Sequence, residues 1–226
     1  MEPRALVPLL QLSDSAFPTG SFSHSVGIEA LVEGGHVSEA TQLRAAISDY
    51  LDALGTSDCR AIRQVFGARS IAEVVRFDSE LSATKLTREG RAASTATGRS
   101  LLEVAAAFEL EDPLFCDLAT AVRDGSAPGN LAVAHAAVCR SLGISATVAV
   151  TSYLYTAAAA LVGAGQKLIP LGQLAAQGVL HDLRHAVAAA VPKSETAASA
   201  DLFAFAPALE IASMMHERQR VRLYMS

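Results

Sequence analysis

Three short constellations in this chain carry residue types able to do chemistry. The first is Ser23-His24-Ser25-Val26-Gly27, which sets hydroxyls beside an imidazole and approaches the G-x-S-x-G form of a nucleophile elbow. Two positions before Ser25 stands Ser23 instead of Gly, and the elbow needs a preceding strand that no pattern here supplies. Adjacency in sequence does not make a nucleophile–base pair. The second is Gly163-Ala164-Gly165-Gln166-Lys167, glycine-rich and ending on a lysine. It lacks the G-x-x-x-x-G-K-[ST] spacing of a phosphate cradle and reads as a flexible helix end. The third is His181-Asp182-Leu183-Arg184-His185, whose imidazoles stand four apart, as chelation from one helical face requires. It lacks the glutamate of H-E-x-x-H and would need a third ligand from elsewhere. A metal-binding or hydrolytic helical enzyme using His24, His181 and His185 is therefore the alternative reading. His36, His135 and His216 stand without a partner in sequence and are expected to be ordinary hydrogen bonders.

The densest run of polar chemistry is Leu10 to Glu29, LQLSDSAFPTGSFSHSVGIE. Pro18, Gly20 and Gly27 set its backbone, and Ser13, Asp14, Thr19, Ser21 and His24 offer hydrogen-bonding groups between two apolar runs. Read alone, it is either a catalytic loop or an exposed surface shaped for a partner.

The elements that must position this stretch are helical. Leu6–Leu12 spans one or two turns, and residues 25–32 a short helix ended by Gly34-Gly35. Ser38 is the expected N-cap of a helix carrying Leu43, Ile47, Leu51 and Leu54 on one face. Residues 58–67 follow, then a capping box at Ser70-x-x-Glu73. A helical pattern runs from about Ser79 to Phe108. Asp112-Pro113 opens another helix to about Arg123, and Asn130 caps one to Leu142. Ser145 begins a long uncharged helix to about Ala164. Pro170 opens one to about Ala190, and a last helix spans about Pro207 to Arg218. The composition of residues 191–200 is that of a linker, and residues 217–226 form a locally basic tail. No strand pattern persists. The expectation is an all-α, single-domain bundle of about ten helices over residues 1–226 with a C-terminal tail.

Composition narrows the classes. At 226 residues and 51% hydrophobic, the chain buries a real core without staples. A net charge of -5 argues against a nucleic-acid binder. Cys59, Cys116 and Cys139 are odd in number, contain no C-x-x-C, and read as free thiols of a cytoplasmic protein. Ala146 to Gly165 is twenty residues without a charge, long enough to span a bilayer, yet it is Ala-, Gly- and Thr-rich and reads as a buried soluble helix.

The opening stretch closely resembles the N-terminal signature of the UreF family of urease accessory proteins, through Ser13-Asp14-Ser15-Ala16-Phe17-Pro18, Gly20-Ser21-Phe22-Ser23-His24-Ser25 and Gly27-Ile28-Glu29. Further blocks follow in order: Arg91-Ala92-Ala93-Ser94 with Gly98-Arg99; Ser141 to Ile144 with Tyr153-Leu154-Tyr155; Lys167 with Pro170 to Gln173 and Gln177; Met215-His216-Glu217; and Arg222 to Ser226. The resemblance covers nearly the whole chain. It implies a non-enzymatic, all-α, often dimeric chaperone that joins UreD (also called UreH) to the GTPase UreG. It further implies coupling of GTP hydrolysis to nickel insertion into apo-urease, with nickel passing transiently and no cofactor held. By the same resemblance Phe22, His24 and Glu29 of the opening stretch, Lys167, and Arg222, Leu223 and Tyr224 of the tail are the expected partner contacts, with no catalytic and no metal residue.

Overall fold

The computed structural model describes residues 2–195, 202–216 and 223–224. Among these residues the chain is all-α, with twelve α-helices, two short 3-10 turns and no strand. The helices are α1 (Pro3–Ser13), α2 (Ile28–Glu33), α3 (Ala40–Thr56), α4 (Asp58–Gly67), α5 (Ile71–Thr84), α6 (Arg88–Ala105), α7 (Pro113–Asp124), α8 (Leu131–Ser141), α9 (Ala146–Leu168), α10 (Gln173–Asp182), α11 (Arg184–Lys193) and α12 (Pro207–His216).

The uncharged helix α9 is the axis. It packs against α1, α2, α3, α4, α8, α10 and α11. Among the described residues it is the one helix long and apolar enough to cross a membrane, but 61% of its apolar window is buried inside the bundle. Its neighbour α8 is buried continuously from Ala132 to Cys139. Small side chains make this possible, because an alanine surface lets helix backbones approach closely.

Two expected helices are split. The pattern from Ser79 to Phe108 breaks at Lys85–Thr87, where the Thr87 hydroxyl accepts from the Gly90 N–H at 3.0 Å and starts α6 afresh. The expected helix from Pro170 begins only at Gln173 and breaks again at Leu183, giving α10 and α11. Helix α11 runs on to Lys193, into the expected linker; residues 196–200 of that linker, and 217–222 and 225–226 of the tail, lie outside the described residues. Asp112 caps α7 as expected, accepting from the Leu114 N–H at 2.9 Å with Pro113 at the first helical position. Ser38 gives way to Glu39 as the N-cap residue of α3.

Asn130 precedes α8, yet its side chain does not cap it. It bonds instead to the wholly buried Asp78 of α5 at 2.7 Å, and that carboxylate also accepts the N–H groups of Gly129 (2.6 Å) and Asn130 (3.0 Å). Burial pushes the Asp78 carboxyl above its ordinary value, against the pull of these bonds. The clamp holds the 125–130 loop on α5 and delivers it to α6. There Gly98 meets it so closely that a Cβ would sit 2.1 Å from the Gly129 carbonyl oxygen and 2.7 Å from the Leu131 nitrogen.

Gly98→Ala is therefore expected to destabilise the fold by at least about 1–3 kcal/mol, the usual cost of overpacking. Gly163→Ala, whose Cβ would meet nothing within 4 Å in the same kind of helical setting, is expected to be neutral or stabilising by up to about 1 kcal/mol. Urea unfolding of the two variants checks the contrast.

Candidate partner-docking surface

The opening stretch divides into an exposed half and a buried half. Asp14 starts it with a side-chain turn, its carboxylate accepting from the Ala16 N–H at 2.8 Å. Phe17 folds inward, its ring 6.2 Å from that of Phe108 and nearly edge-on. A 3-10 turn at Ser21–Ser23 follows Gly20. The second half is not the exposed surface expected from its sequence: Ser25, Gly27, Ile28 and Glu29 are buried. Gly27 takes a left-handed φ of 85° and lies against α12, where a Cβ would sit 2.7 Å from the Leu209 carbonyl oxygen. The Ser25 hydroxyl is buried with no hydrogen-bond partner, so it meets no base and the elbow reading fails.

Glu29 is the centre of the arrangement. One carboxylate oxygen accepts the Leu223 N–H at 2.7 Å, and the other accepts the Tyr224 N–H at 3.1 Å and lies 3.0 Å from His216 Nε2. The other ring nitrogen of His216, Nδ1, lies 3.2 Å from a Glu89 oxygen on α6. His216 is fully buried. Burial alone pushes the Glu29 carboxyl up, but the bonds from Leu223, His216 and Tyr224 outweigh it and hold it below its ordinary value. Lys167, in the last turn of α9, places its ammonium 5.5 Å from the centre of the Tyr224 ring. Burial, with the Glu29 charge beside it, raises the Tyr224 hydroxyl.

Four of the expected contact residues, Glu29, Lys167, Leu223 and Tyr224, thus come together across three distant parts of the chain. Phe22 and His24 lie on the wall of a cavity of about 220 Å³. Burial lowers the imidazole of His24, against the raising effect of Glu89. Arg222 lies outside the described residues. His216 and Glu89 belong to the cluster but were not expected there; no spacing links residues 29, 89 and 216. Helix α12 turns Leu209, Ala212, Ser213 and His216 inward and leaves Ile211, Met214 and Met215 exposed, with the Leu223 side chain exposed as well.

The wall of the cavity holds a further buried carboxylate. Asp58 accepts from Lys85 Nζ (3.0 Å to each oxygen), the Tyr153 hydroxyl (2.8 Å) and the Ser57 hydroxyl (3.1 Å). Tyr50 and Tyr153 are both raised, by burial first and then by the charge of Asp58.

The chelate-spaced pair His181 and His185 is divided by the helix break at Leu183. His181 lies in the last turn of α10 and His185 in the first turn of α11, both exposed, and Asp182 pairs with Arg44 and Arg184. Among the described residues no group of three or more His, Cys, Asp or Glu side chains is placed to hold a metal ion. The glycine-rich run before Lys167 is helix, not a phosphate loop; Gly165 packs on Leu43. The three cysteines are free.

This architecture has close relatives. The UreF family model matches residues 37–184. Proteins named urease accessory protein UreF match from Arthrobacter sp. (strain FB24), 39% identical over 219 residues, and from Paenarthrobacter aurescens, 39% over 226, each match covering 96% of both chains. One from Corynebacterium glutamicum is 33% identical over 219 residues, again 96% of each. The chain belongs to the UreF family. The family model matches the bundle core. The full-length relatives extend the likeness to nearly the whole chain. Several blocks of the UreF resemblance now have physical reasons: Gly98 admits the 129–131 loop, Tyr153 bonds Asp58, and His216 bridges Glu29 and Glu89.

Because the Glu29 carboxyl is held below its ordinary 4.5, its contribution to tail docking is present above that pH and is lost as pH falls through the folded-state value. Amide hydrogen exchange is expected to show Leu223 and Tyr224 protected near neutrality and released in acid below about pH 4.5. Glu29→Gln is expected to lose protection at neutral pH as well, by tenfold or more, since bonds to a charged acceptor are worth about 1.5–3 kcal/mol.

Proposed function

We propose that this chain is a non-enzymatic scaffold of urease maturation that joins UreD/UreH and the GTPase UreG and couples GTP hydrolysis to nickel insertion into apo-urease. One observation carries the reading beyond the family. Leu223 and Tyr224 are strapped to the opening stretch through Glu29, and α12, which rests on that stretch, leaves Ile211, Met214 and Met215 exposed on one helical face. Exposed contiguous apolar side chains of this kind mark docking sites, and methionines adapt to a partner's contour. UreD/UreH docks on the α12 and tail face. UreG docks on the surface of Phe22 and His24, with Lys167 as a further contact; Arg222, outside the described residues, is the contact expected of the tail. Nickel is the cargo of the assembly and crosses this chain transiently, without a resident cofactor.

A separate apolar strip, Leu6, Val7 and Leu10, is exposed on α1 while Leu9 and Leu12 face inward. It serves a second copy of the chain, giving a homodimer within the complex, which works in the cytoplasm and binds neither nucleic acid nor membrane.

The test is co-purification of the full chain with UreD/UreH and UreG, together with urease activity in cells. Ile211→Asp with Met215→Asp is expected to weaken UreD/UreH capture by about 30-fold or more, the effect of losing about 2 kcal/mol at an interface centre. Urease activation should fall with it while helical circular dichroism is unchanged. Undiminished capture and activation by that double variant would reject the docking face. Val7→Glu with Leu10→Glu is expected to give a monomer by sedimentation.

A further inference from the structure

Three helix ends meet at one buried imidazole. His216 stands in the last turn of α12, Glu89 in the first turn of α6 and Glu29 in the first turn of α2. The His216 side chain is 0% exposed, that of Glu29 10% and that of Glu89 13%. Each ring nitrogen faces a carboxylate oxygen, Nε2 that of Glu29 at 3.0 Å and Nδ1 that of Glu89 at 3.2 Å. An ionised carboxylate only accepts, and a neutral imidazole donates from one nitrogen alone. Both contacts are therefore hydrogen bonds only when the ring carries two protons and a positive charge. The place suits that charge, since a cation is favoured at the C-terminus of α12 and a carboxylate at the N-terminus of α6. A ring with one proton would set a bare lone pair against one of two buried carboxylates, with no positive charge of its own to offset them. Among the described residues, the other titratable or charged groups around the cluster are His24 of the opening stretch, Tyr224 of the tail with Lys167 of α9 over its ring, Glu210 earlier on α12, and the exposed Arg88 and Arg91 on α6. Burial disfavours the charged form of His24, and Arg91 is bonded to the Leu86 carbonyl.

We propose that the second proton on His216 is a switchable clasp: with it, the ring binds α12 to α2 and α6 and steadies Leu223 and Tyr224 on Glu29, and without it the clasp opens. The link to the tail runs through one atom, because the Glu29 oxygen that faces His216 Nε2 also accepts the Tyr224 N–H. When the imidazolium is lost, Glu29 loses its charged donor and the two amides must hold a carboxylate that nothing in the ring neutralises. The ring's contribution is present while it is doubly protonated and is lost as pH rises through its titration. Opening in base thus joins the opening in acid that protonation of Glu29 causes. Helix α12 also carries the exposed Ile211, Met214 and Met215. On the docking reading above, the closed clasp is the state that presents that face. That clause alone rests on the docking reading; the clasp is a property of the chain by itself and its test uses no partner, so the two fail separately.

Ring-nitrogen NMR shifts of His216 in the full chain, assigned by their loss in His216→Gln, are expected to show both nitrogens protonated whenever Leu223 and Tyr224 are protected from amide exchange. As pH is raised, the protection factors of these two amides, which already allow for base-catalysed exchange, are expected to fall by about tenfold, the factor carried by one hydrogen bond to a charged partner. Their midpoint coincides with that of the ring. Glu89→Gln separates the clasp from ordinary packing. An amide side chain donates as well as accepts, so a neutral ring then keeps both bonds, Nε2 donating to Glu29 and Nδ1 accepting from the new amide. This variant is expected to keep Leu223 and Tyr224 protected through the pH range in which the parent chain loses them. A neutral ring in the protected parent chain overturns the proposal. So does tail protection that does not follow the ring's titration, or an alkaline loss in folded Glu89→Gln equal to the parent's. Should Glu89→Gln not fold, the two parent-chain measurements decide alone.

Discussion

The arrangement of this molecule's ends depends on one buried carboxylate. Glu29 sits in the first turn of a helix only six residues long, α2, and gathers donors from two parts of the chain nearly two hundred residues away. An ionised carboxylate is acceptor-only and expensive to bury alone, so each donor that reaches it is held by more than its own bond. Because α12 rests directly on Gly27, the helix that brings His216 and the loop that carries Glu29 are fitted to each other before any bond forms. Leu223 and Tyr224 are thereby held against the opening stretch.

Three buried acids do comparable work in different places. Glu29 ties the tail, Asp78 ties the 125–130 loop, and Asp58 ties α4 to the α5–α6 connection and to α9. Each satisfies backbone or side-chain donors at a point where the alanine-rich core has little side-chain volume to hold elements by packing. Small residues allow close helix approach but interlock weakly, so polar clamps supply the specificity that larger side chains provide elsewhere.

The sequence showed the helical class, the free thiols, the Asp112-Pro113 start and the importance of Leu10 to Glu29, because these rest on local propensity and composition. It misjudged what depends on tertiary contact. Asn130 has the right type and place for a cap, yet a buried aspartate from α5 claims its side chain. His181 and His185 have chelate spacing, but Leu183 divides their helices. The second half of the opening stretch reads polar and exposed, and is buried because α12 covers it. Glu29, Lys167, Leu223 and Tyr224 were singled out through family resemblance; their mutual contact is a property of the fold, and the bridging roles of His216 and Glu89 had no local signal at all.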